Sequence, residues 1–186
     1  MKILIAAIVA GILVFGWGAV SHMVLPIRGG LVEMKDLGTE QAVLDGLKSR
    51  LHEPGVYLLP QVGFESKDEA EQKAYAERYR QGPNAFLVYH PDGKELKMLP
   101  LLGIELLSNV AAAFVAALVV TRLRAAFPTR VFVVMLMGLF AWLSIEVSYW
   151  NWYRFPDAYS LAQAIDQIGG WLLGGIAIGW MVKGKE

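Results

Sequence analysis

Seven acidic, amide or histidine side chains lie within the long apolar stretches of this 186-residue chain, and they are the residues best suited to chemistry. Burying such groups among apolar side chains is costly, so they are functional candidates by default. Carboxylates, an imidazole and amides together could bind a cation, pass protons or hold a small polar ligand. The predicted polar layer consists of His22, Glu105, Asn109, Glu146, Gln163, Asp166 and Gln167.

Positions along the chain predict that these residues share one layer. Counted at 1.5 Å per residue, the imidazole and the three carboxylates lie roughly 4 to 9 Å from the helix ends that would face one side of the membrane, the extracytoplasmic side. Three interpretations stay open: groups that hydrogen-bond across helices for packing, a ligand or proton site, and a divalent-metal site. The spacing matches no recognised metal motif, and we favour the packing interpretation.

Known catalytic patterns are not legible in the sequence. It shows no serine, histidine and acid arrangement and no phosphate-binding glycine loop after a strand. The chain contains no cysteine, which excludes disulfides, thiolate catalysis, iron-sulfur clusters and cysteine-based zinc sites. We therefore predict no catalytic residue, no metal and no cofactor.

Composition is typical of a membrane protein. Apolar residues make up 55% of the chain, and most charged residues lie between Arg28 and Lys97. That segment carries ten basic and twelve acidic residues, so it offers no polybasic surface to a nucleic acid. The predicted partners are the lipid bilayer and either a second copy of the chain or another membrane or periplasmic protein.

The predicted fold is an α-helical bundle of four transmembrane helices with a small α+β extracytoplasmic domain inserted between helices 1 and 2. Residues 101–121 carry one charge and would form a helix about 32 Å long, enough to cross a bilayer. The predicted domains are transmembrane helix 1 (1–27), the extracytoplasmic domain (28–100), a three-helix transmembrane region (101–182) and a cytoplasmic tail (183–186).

The first apolar segment, Ile3 to Leu25, is either a cleaved signal peptide or a retained signal anchor. It is longer than a typical signal-peptide core, and its one plausible cleavage pattern begins at Ala19, so we favour retention. Ala7 and Gly11 are small residues four apart, which favours the close approach of another helix.

Between the first two membrane helices, turn and capping residues predict short alternating elements. A capping box of Ser66 and Glu69 is expected to start a polar helix that ends before Gly82. Pro100 is expected to be the first residue of the second membrane helix. The predicted elements are a strand at 31–35, a helix from 39 to 54, a strand at 56–59, a helix from 66 to about 80, and strands at 85–89 and 96–99.

The third and fourth membrane helices are predicted at 131–150 and about 160–182, joined by a short aromatic loop. Aromatic residues at such a place are typical of a membrane interface, and this belt is Tyr149, Trp150, Trp152, Tyr153 and Tyr159. The fourth helix contains two offset GxxxG pairs, which favour close packing on two adjoining faces. These glycines are Gly170, Gly174, Gly175 and Gly179.

Short basic segments predict the orientation. Lys2, the arginines between positions 122 and 130 and the lysines of the tail lie on one side if four helices span the membrane. The positive-inside rule then places that side, with both termini, in the cytoplasm and residues 28–100 outside it.

Four strings of the chain resemble one group of proteins. They are GPNAFLVYHPDG (82–93), LGIELLSNVAAA (102–113), SYWNWYRFP (148–156) and IDQIGGWLLGG (165–175). Over most of its length the chain is similar to an uncharacterised group of bacterial inner-membrane proteins with the same four-helix plan. The resemblance implies the bacterial inner (cytoplasmic) membrane. Because that group has no established activity, it implies no functional residue.

Three functions are compatible with this sequence. The leading hypothesis is a non-enzymatic membrane protein whose extracytoplasmic domain binds a partner or forms an oligomer, because no catalytic set is legible and the glycine faces favour close contacts. The alternative is a small transporter, or an ion- or proton-conducting component, that uses the acidic layer. The third is a membrane enzyme acting on envelope or lipid substrates.

Overall fold

A computed structural model describes residues 1–25, 38–61 and 66–183 of the chain. The strand predicted at 31–35 lies outside these residues. The chain divides into two units, one between Lys35 and Leu96 and one formed by the rest. In chain order the elements are α1 (Lys2–Met23), α2 (Glu40–Arg50), β1 (Gly55–Leu59), α3 (Glu69–Gln81), β2 (Ala85–Tyr89), α4 (Met98–Val120), α5 (Phe127–Ala141), a π-helical segment (Trp142–Glu146), α6 (Val147–Tyr153) and α7 (Asp157–Met181).

Four helical stretches of the described residues are long and apolar enough to cross a membrane: α1, α4, the continuous run Phe127–Tyr153, and α7. Their 22 to 27 residues correspond to about 33 to 40 Å of helix. The number of membrane-length helices predicted from the sequence is confirmed. The protein is therefore mostly helical, and the length and composition of these four helices suggest a multi-pass membrane protein.

The start of α4 corrects two predictions. No strand forms at 96–99; α4 begins at Met98 instead, and Pro100 is its third residue rather than its first. A proline is tolerated there because the amides of the first helical turn have no partner within the helix. The apolar run that suggested a strand is thus the first turn of the membrane helix.

The third and fourth membrane helices begin earlier than predicted. The third starts at Phe127, with Pro128 in its first turn, and not at Val131. It continues past Trp150 to Tyr153 through the π-helical segment. The fourth starts at Asp157, whose carboxylate suits the positive end of a helix, and not near residue 160.

In the unit that contains the four membrane-length helices, α1 packs against α4 on one side and against α7 on the other. In the same unit, α5 packs against α7. The buried core consists largely of alanines, which lets the helix backbones approach closely. At Gly11 a β-carbon would lie 2.6 to 2.8 Å from side-chain and backbone atoms of Val110 on α4. The small pair Ala7 and Gly11 therefore lies in a helix contact, as both are buried.

The glycines of α7 face two different neighbours. Gly170 and Gly174 lie against Val14 of α1, and Gly170 also lies against the Trp17 ring. Gly175 and Gly179 lie against Val131 of α5. Both glycine faces are thus occupied by helices of the same chain, so they give no support to an oligomer.

The unit between Lys35 and Leu96 contains α2, α3 and an antiparallel sheet of β1 and β2 in which Gly55 lies opposite Tyr89 and Leu59 opposite Ala85. The helix, strand, helix, strand order predicted for these residues is confirmed. Among the described residues the sheet has two strands, because the segment predicted as a further strand at 96–99 leads into α4 instead. Neither helix of the unit buries a side chain, and Tyr89 is the one buried hydrophobic side chain in its described part.

The predicted capping box at the start of α3 is wrong. Asp68 is the capping residue, because its carboxylate accepts a hydrogen bond from the Ala70 amide at 2.8 Å. Ser66 instead accepts from the Asp68 amide at 3.2 Å, one step before the helix. Gly82, with a φ of 71°, ends α3 as predicted. On the exposed face of α3, hydrogen bonds from Arg80 lower the pKa of the Glu77 carboxyl.

Candidate functional site

A cavity of about 510 Å³ lies between α1, α4 and α7. It is found at the end of the bundle where α1 finishes and where α4 and α7 begin. Six of the seven residues of the predicted polar layer line it, and they are His22, Glu105, Asn109, Gln163, Asp166 and Gln167. Antiparallel packing causes this convergence, since the last turns of α1 lie beside the first turns of its two neighbours.

Glu146 is the member of the predicted layer that does not line this cavity. It ends the π-helical segment that follows α5, and α5 packs on α7 through Gly175 and Gly179. The face of α7 that carries Gly170 and Gly174 turns instead toward α1. The layer predicted across four helices is therefore a three-helix site.

Hydrogen bonds join α1 to α7 beside the cavity. The Trp17 indole N–H donates to the backbone oxygen of Asp166 at 3.0 Å, and the Ser21 hydroxyl donates to Asp166 Oδ1. His22 Nδ1 lies 3.9 Å from the same carboxylate oxygen. These contacts occupy one oxygen of Asp166, while Oδ2 has no hydrogen-bond partner among the described residues.

The contacts of His22 favour one tautomer. Nδ1 lies 2.8 Å from the backbone oxygen of Gly18 and 3.1 Å from Ser21 Oγ. A carbonyl oxygen can only accept, so the contact with Gly18 is a hydrogen bond in the tautomer whose Nδ1 carries the hydrogen. In the neutral ring Nε2 is then the acceptor nitrogen.

Ser21, His22 and Asp166 form a serine, histidine and acid cluster that sequence reasoning missed, although Ser21 directly precedes His22. A catalytic triad places the hydroxyl and the acid on opposite ring nitrogens. Here both approach Nδ1, and Ser21 is fully buried. The cluster therefore lacks the geometry of a catalytic triad and acts as a polar link between two helices.

The remaining polar side chains of the cavity keep unused hydrogen-bonding atoms. Asn109 donates to Glu105 Oε1 at 3.2 Å along one face of α4. Gln163 donates to the Tyr159 hydroxyl at 2.9 Å. Gln167 makes no side-chain hydrogen bond within the part of the chain that the structure describes. Carboxylate and amide oxygens are thus available to a ligand that carries hydrogen-bond donors.

Aromatic rings complete the wall, and sequence reasoning missed them as site residues. Phe15 and Trp17 of α1 and Trp171 of α7 line the cavity. Helical spacing was the available signal, since Trp171 follows Gln167 by four residues and therefore lies on the same face. The Trp17 ring also covers Gly169, where a β-carbon would lie 2.7 Å from it.

No protein-family model, curated protein or solved structure matches the chain. The resemblance to bacterial inner-membrane proteins therefore stays a prediction.

The charges of the cavity favour a cation. Glu105 and Asp166 contribute two carboxylates, and none of the described lining residues is a lysine or an arginine. Within the described ranges, no three His, Asp or Glu side chains are grouped closely enough to hold a metal ion. The arrangement is thus acidic, rich in acceptors and partly aromatic.

The aromatic belt lies on helix rather than in a loop. Four of its residues belong to α6 and Tyr159 belongs to α7. The rings of Tyr149 and Tyr153 are 5.6 Å apart, and Phe155 links Tyr149 to Tyr159 at 5.5 and 5.2 Å. The Trp150 indole donates to Asp157 Oδ1 at 2.7 Å. These contacts join the third membrane-length helix to the start of the fourth. The membrane-interface role of the belt stays a prediction.

Proposed function

We propose that this is a multi-pass membrane protein that binds a small organic cation in the cavity between α1, α4 and α7, called the polar cavity below. The proposal rests on one observation: two carboxylates from different helices and two indole rings line a cavity whose described lining includes His22 but no lysine or arginine. This proposal is closest to the small-transporter hypothesis, because a cation site reached from one end of a bundle suits uptake or release.

The lining matches an amine better than an inorganic ion. A protonated amine is attracted to carboxylates and to the faces of tryptophan rings, and its N–H groups need acceptors such as the amide oxygens of Gln163 and Gln167. The volume of about 510 Å³ lies within the range of small-molecule sites. An inorganic divalent ion would use oxygen ligands and would leave the aromatic wall without a role.

The test is binding of simple cations to the purified protein in a neutral detergent. Isothermal titration with ethylamine, 1,4-diaminobutane and tetramethylammonium should give saturable binding, while 1,4-butanediol and sodium chloride should give none. Asp166→Asn and Glu105→Gln should each weaken binding about tenfold, corresponding to about 1.4 kcal/mol. The amides keep the side-chain shape but cannot neutralise a cation.

Glu146→Gln is the matched control, because Glu146 is also a carboxylate in a membrane helix but does not line the cavity. It should bind the cations like the parent. Equal binding of 1,4-butanediol, equal losses in all three variants, or a response to pH with no response to any cation would each contradict the proposal.

We further propose that the protein lies in the bacterial inner membrane with both termini in the cytoplasm. The support is the placement of Lys2, Arg122 and Lys183 at one end of the bundle and the polar cavity at the other. Under the positive-inside rule the cavity opens on the extracytoplasmic side.

Labelling of single cysteines in intact cells tests this orientation. Cysteines at Lys67 and Lys94 should react with an impermeant thiol reagent, and one at Arg124 should react only after the membrane is broken. The parent chain has no cysteine and is its own blank. Labelling at Arg124 but not at the other two sites would refute the orientation.

The unit between Lys35 and Leu96 supports a second candidate function, binding of a membrane or periplasmic protein or of a second copy of the chain. Its described part buries one hydrophobic side chain, Tyr89, whose hydroxyl has no hydrogen-bond partner among the described residues. Val56 and Val88, which pair across the sheet, are both largely exposed. A core this small is not expected to offset the conformational entropy that the chain loses on folding. A partner that covers the sheet would therefore stabilise the unit.

A further inference from the structure

A second cavity, of about 520 Å³, lies at the end of the bundle opposite the polar cavity. Three cationic side chains line it: Lys2 in the first turn of α1, Arg122 just after α4 and Lys183 just after α7. Its other wall is apolar and includes Leu118 and Met181. Three chain segments that are distant in sequence thus bring positive charge to one place.

None of these three cations forms an ion pair within residues 1–25, 38–61 and 66–183. The negative ends of α4 and α7 favour Arg122 and Lys183, but Lys2 lies at the positive end of α1, where a cation is disfavoured. Three like charges around one cavity repel one another, so an anion that binds between them would be strongly attracted.

An apolar pocket adjoins this cavity. It has a volume of about 290 Å³ and shares Lys2 and Met181 with the cavity, and it is also lined by Ile5 and Trp180. A basic cavity next to an apolar pocket on the outer surface of α1 and α7 matches a molecule with an anionic head and a hydrocarbon tail. A free phosphate ion would use the basic part and leave the apolar part empty.

We propose that this basic cavity binds the phosphate group of an anionic phospholipid, whose acyl chain lies in the pocket beside Ile5 and Trp180. The general attraction of basic loops to anionic membranes does not require a cavity. Lipid binding should therefore depend on Arg122, which lines the cavity, and not on Arg124, which lies two residues away and does not line it. It is independent of the cation site at the other end of the bundle.

Thermal unfolding in a neutral detergent tests the proposal. Dioleoylphosphatidylglycerol should raise the Tm of the full chain by about 5 °C, because a ligand that binds only the folded state stabilises it. Dioleoylphosphatidylcholine and sodium phosphate should each give less than half of that shift. Arg122→Gln should lose most of the response to phosphatidylglycerol, while Arg124→Gln, with the same loss of charge, should keep it.

Lipid selectivity of the parent protein is measured separately by native mass spectrometry, so the proposal stays testable if Arg122→Gln does not fold. Retention of phosphatidylglycerol over phosphatidylcholine at equal concentration is the expected result. Equal retention of the two lipids would overturn the proposal, and so would an equal loss in both arginine variants. If sodium phosphate raised the Tm as much as phosphatidylglycerol does, the lipid proposal would be overturned and the cavity would be assigned to free phosphate.

Discussion

Replacement of Gly11 by leucine should lower the free energy of unfolding by about 3 kcal/mol, a large effect for one overpacked position. A β-carbon at this position would meet the backbone nitrogen and Cα of Val110 at 2.8 and 2.7 Å, so α1 and α4 would have to move apart. Backbone atoms cannot change rotamer to make room. The separation would also loosen the alanine core that lies between these helices.

Gly16→Leu is the control for this prediction, because it makes the same chemical change in the same helix. A β-carbon at Gly16 would have no atom within 4 Å, so its leucine should be tolerated. Thermal or denaturant unfolding in detergent gives the comparison. Equal stability of the two variants would show that α1 and α4 do not pack at Gly11.

The second large effect is expected at Gly138, where even alanine should be harmful. Alanine normally stabilises a helix relative to glycine by roughly 0.5 to 1 kcal/mol. At Gly138 its β-carbon would lie 2.5 Å from the backbone oxygen of Gln167 and 2.9 Å from the Trp171 ring. We therefore expect Gly138→Ala to destabilise the protein by about 2 kcal/mol, with the opposite sign to the helix propensity.

Gly138→Ala should also weaken cation binding in the polar cavity. Gln167 and Trp171 both line the polar cavity, so a shift of α7 at these residues should weaken cation binding even though Gly138 does not line it. Gly103→Ala is the control, since a β-carbon there meets nothing within 4 Å. Unfolding and isothermal titration of the two variants provide the measurements. A Gly138→Ala protein as stable as Gly103→Ala would contradict the close contact of α5 and α7.

Local patterns in the sequence predicted most of the secondary structure. The β1 and β2 strands were predicted within one residue, because short apolar runs between glycine and proline leave little choice. The helix starts were less well predicted, as Asp68 and Met98 show. Several residues near such a boundary can cap or begin a helix, and the competition between them depends on small free-energy differences.

Membership of the site could be predicted only in part. Glu146 and Asp166 are both acids in apolar helices, and sequence alone gave no reason to separate them. The difference is the rotation of each helix about its own axis, which depends on the packing of α7 against α1 and α5. In the sequence Trp17 is only an aromatic residue of the first apolar segment, whereas in the structure its indole donates to the backbone oxygen of Asp166 across the helix contact.

The sequence by itself determined that the chain has four membrane-length helices, where the polar side chains lie along them and that α7 has two glycine faces. These properties depend on hydropathy and spacing, which are local. The tertiary structure alone decided which face meets which neighbour, that six polar residues share one cavity and that three distant cations share another. Such groupings join residues more than 100 positions apart, and they depend on the close packing of helix surfaces, which no local pattern contains.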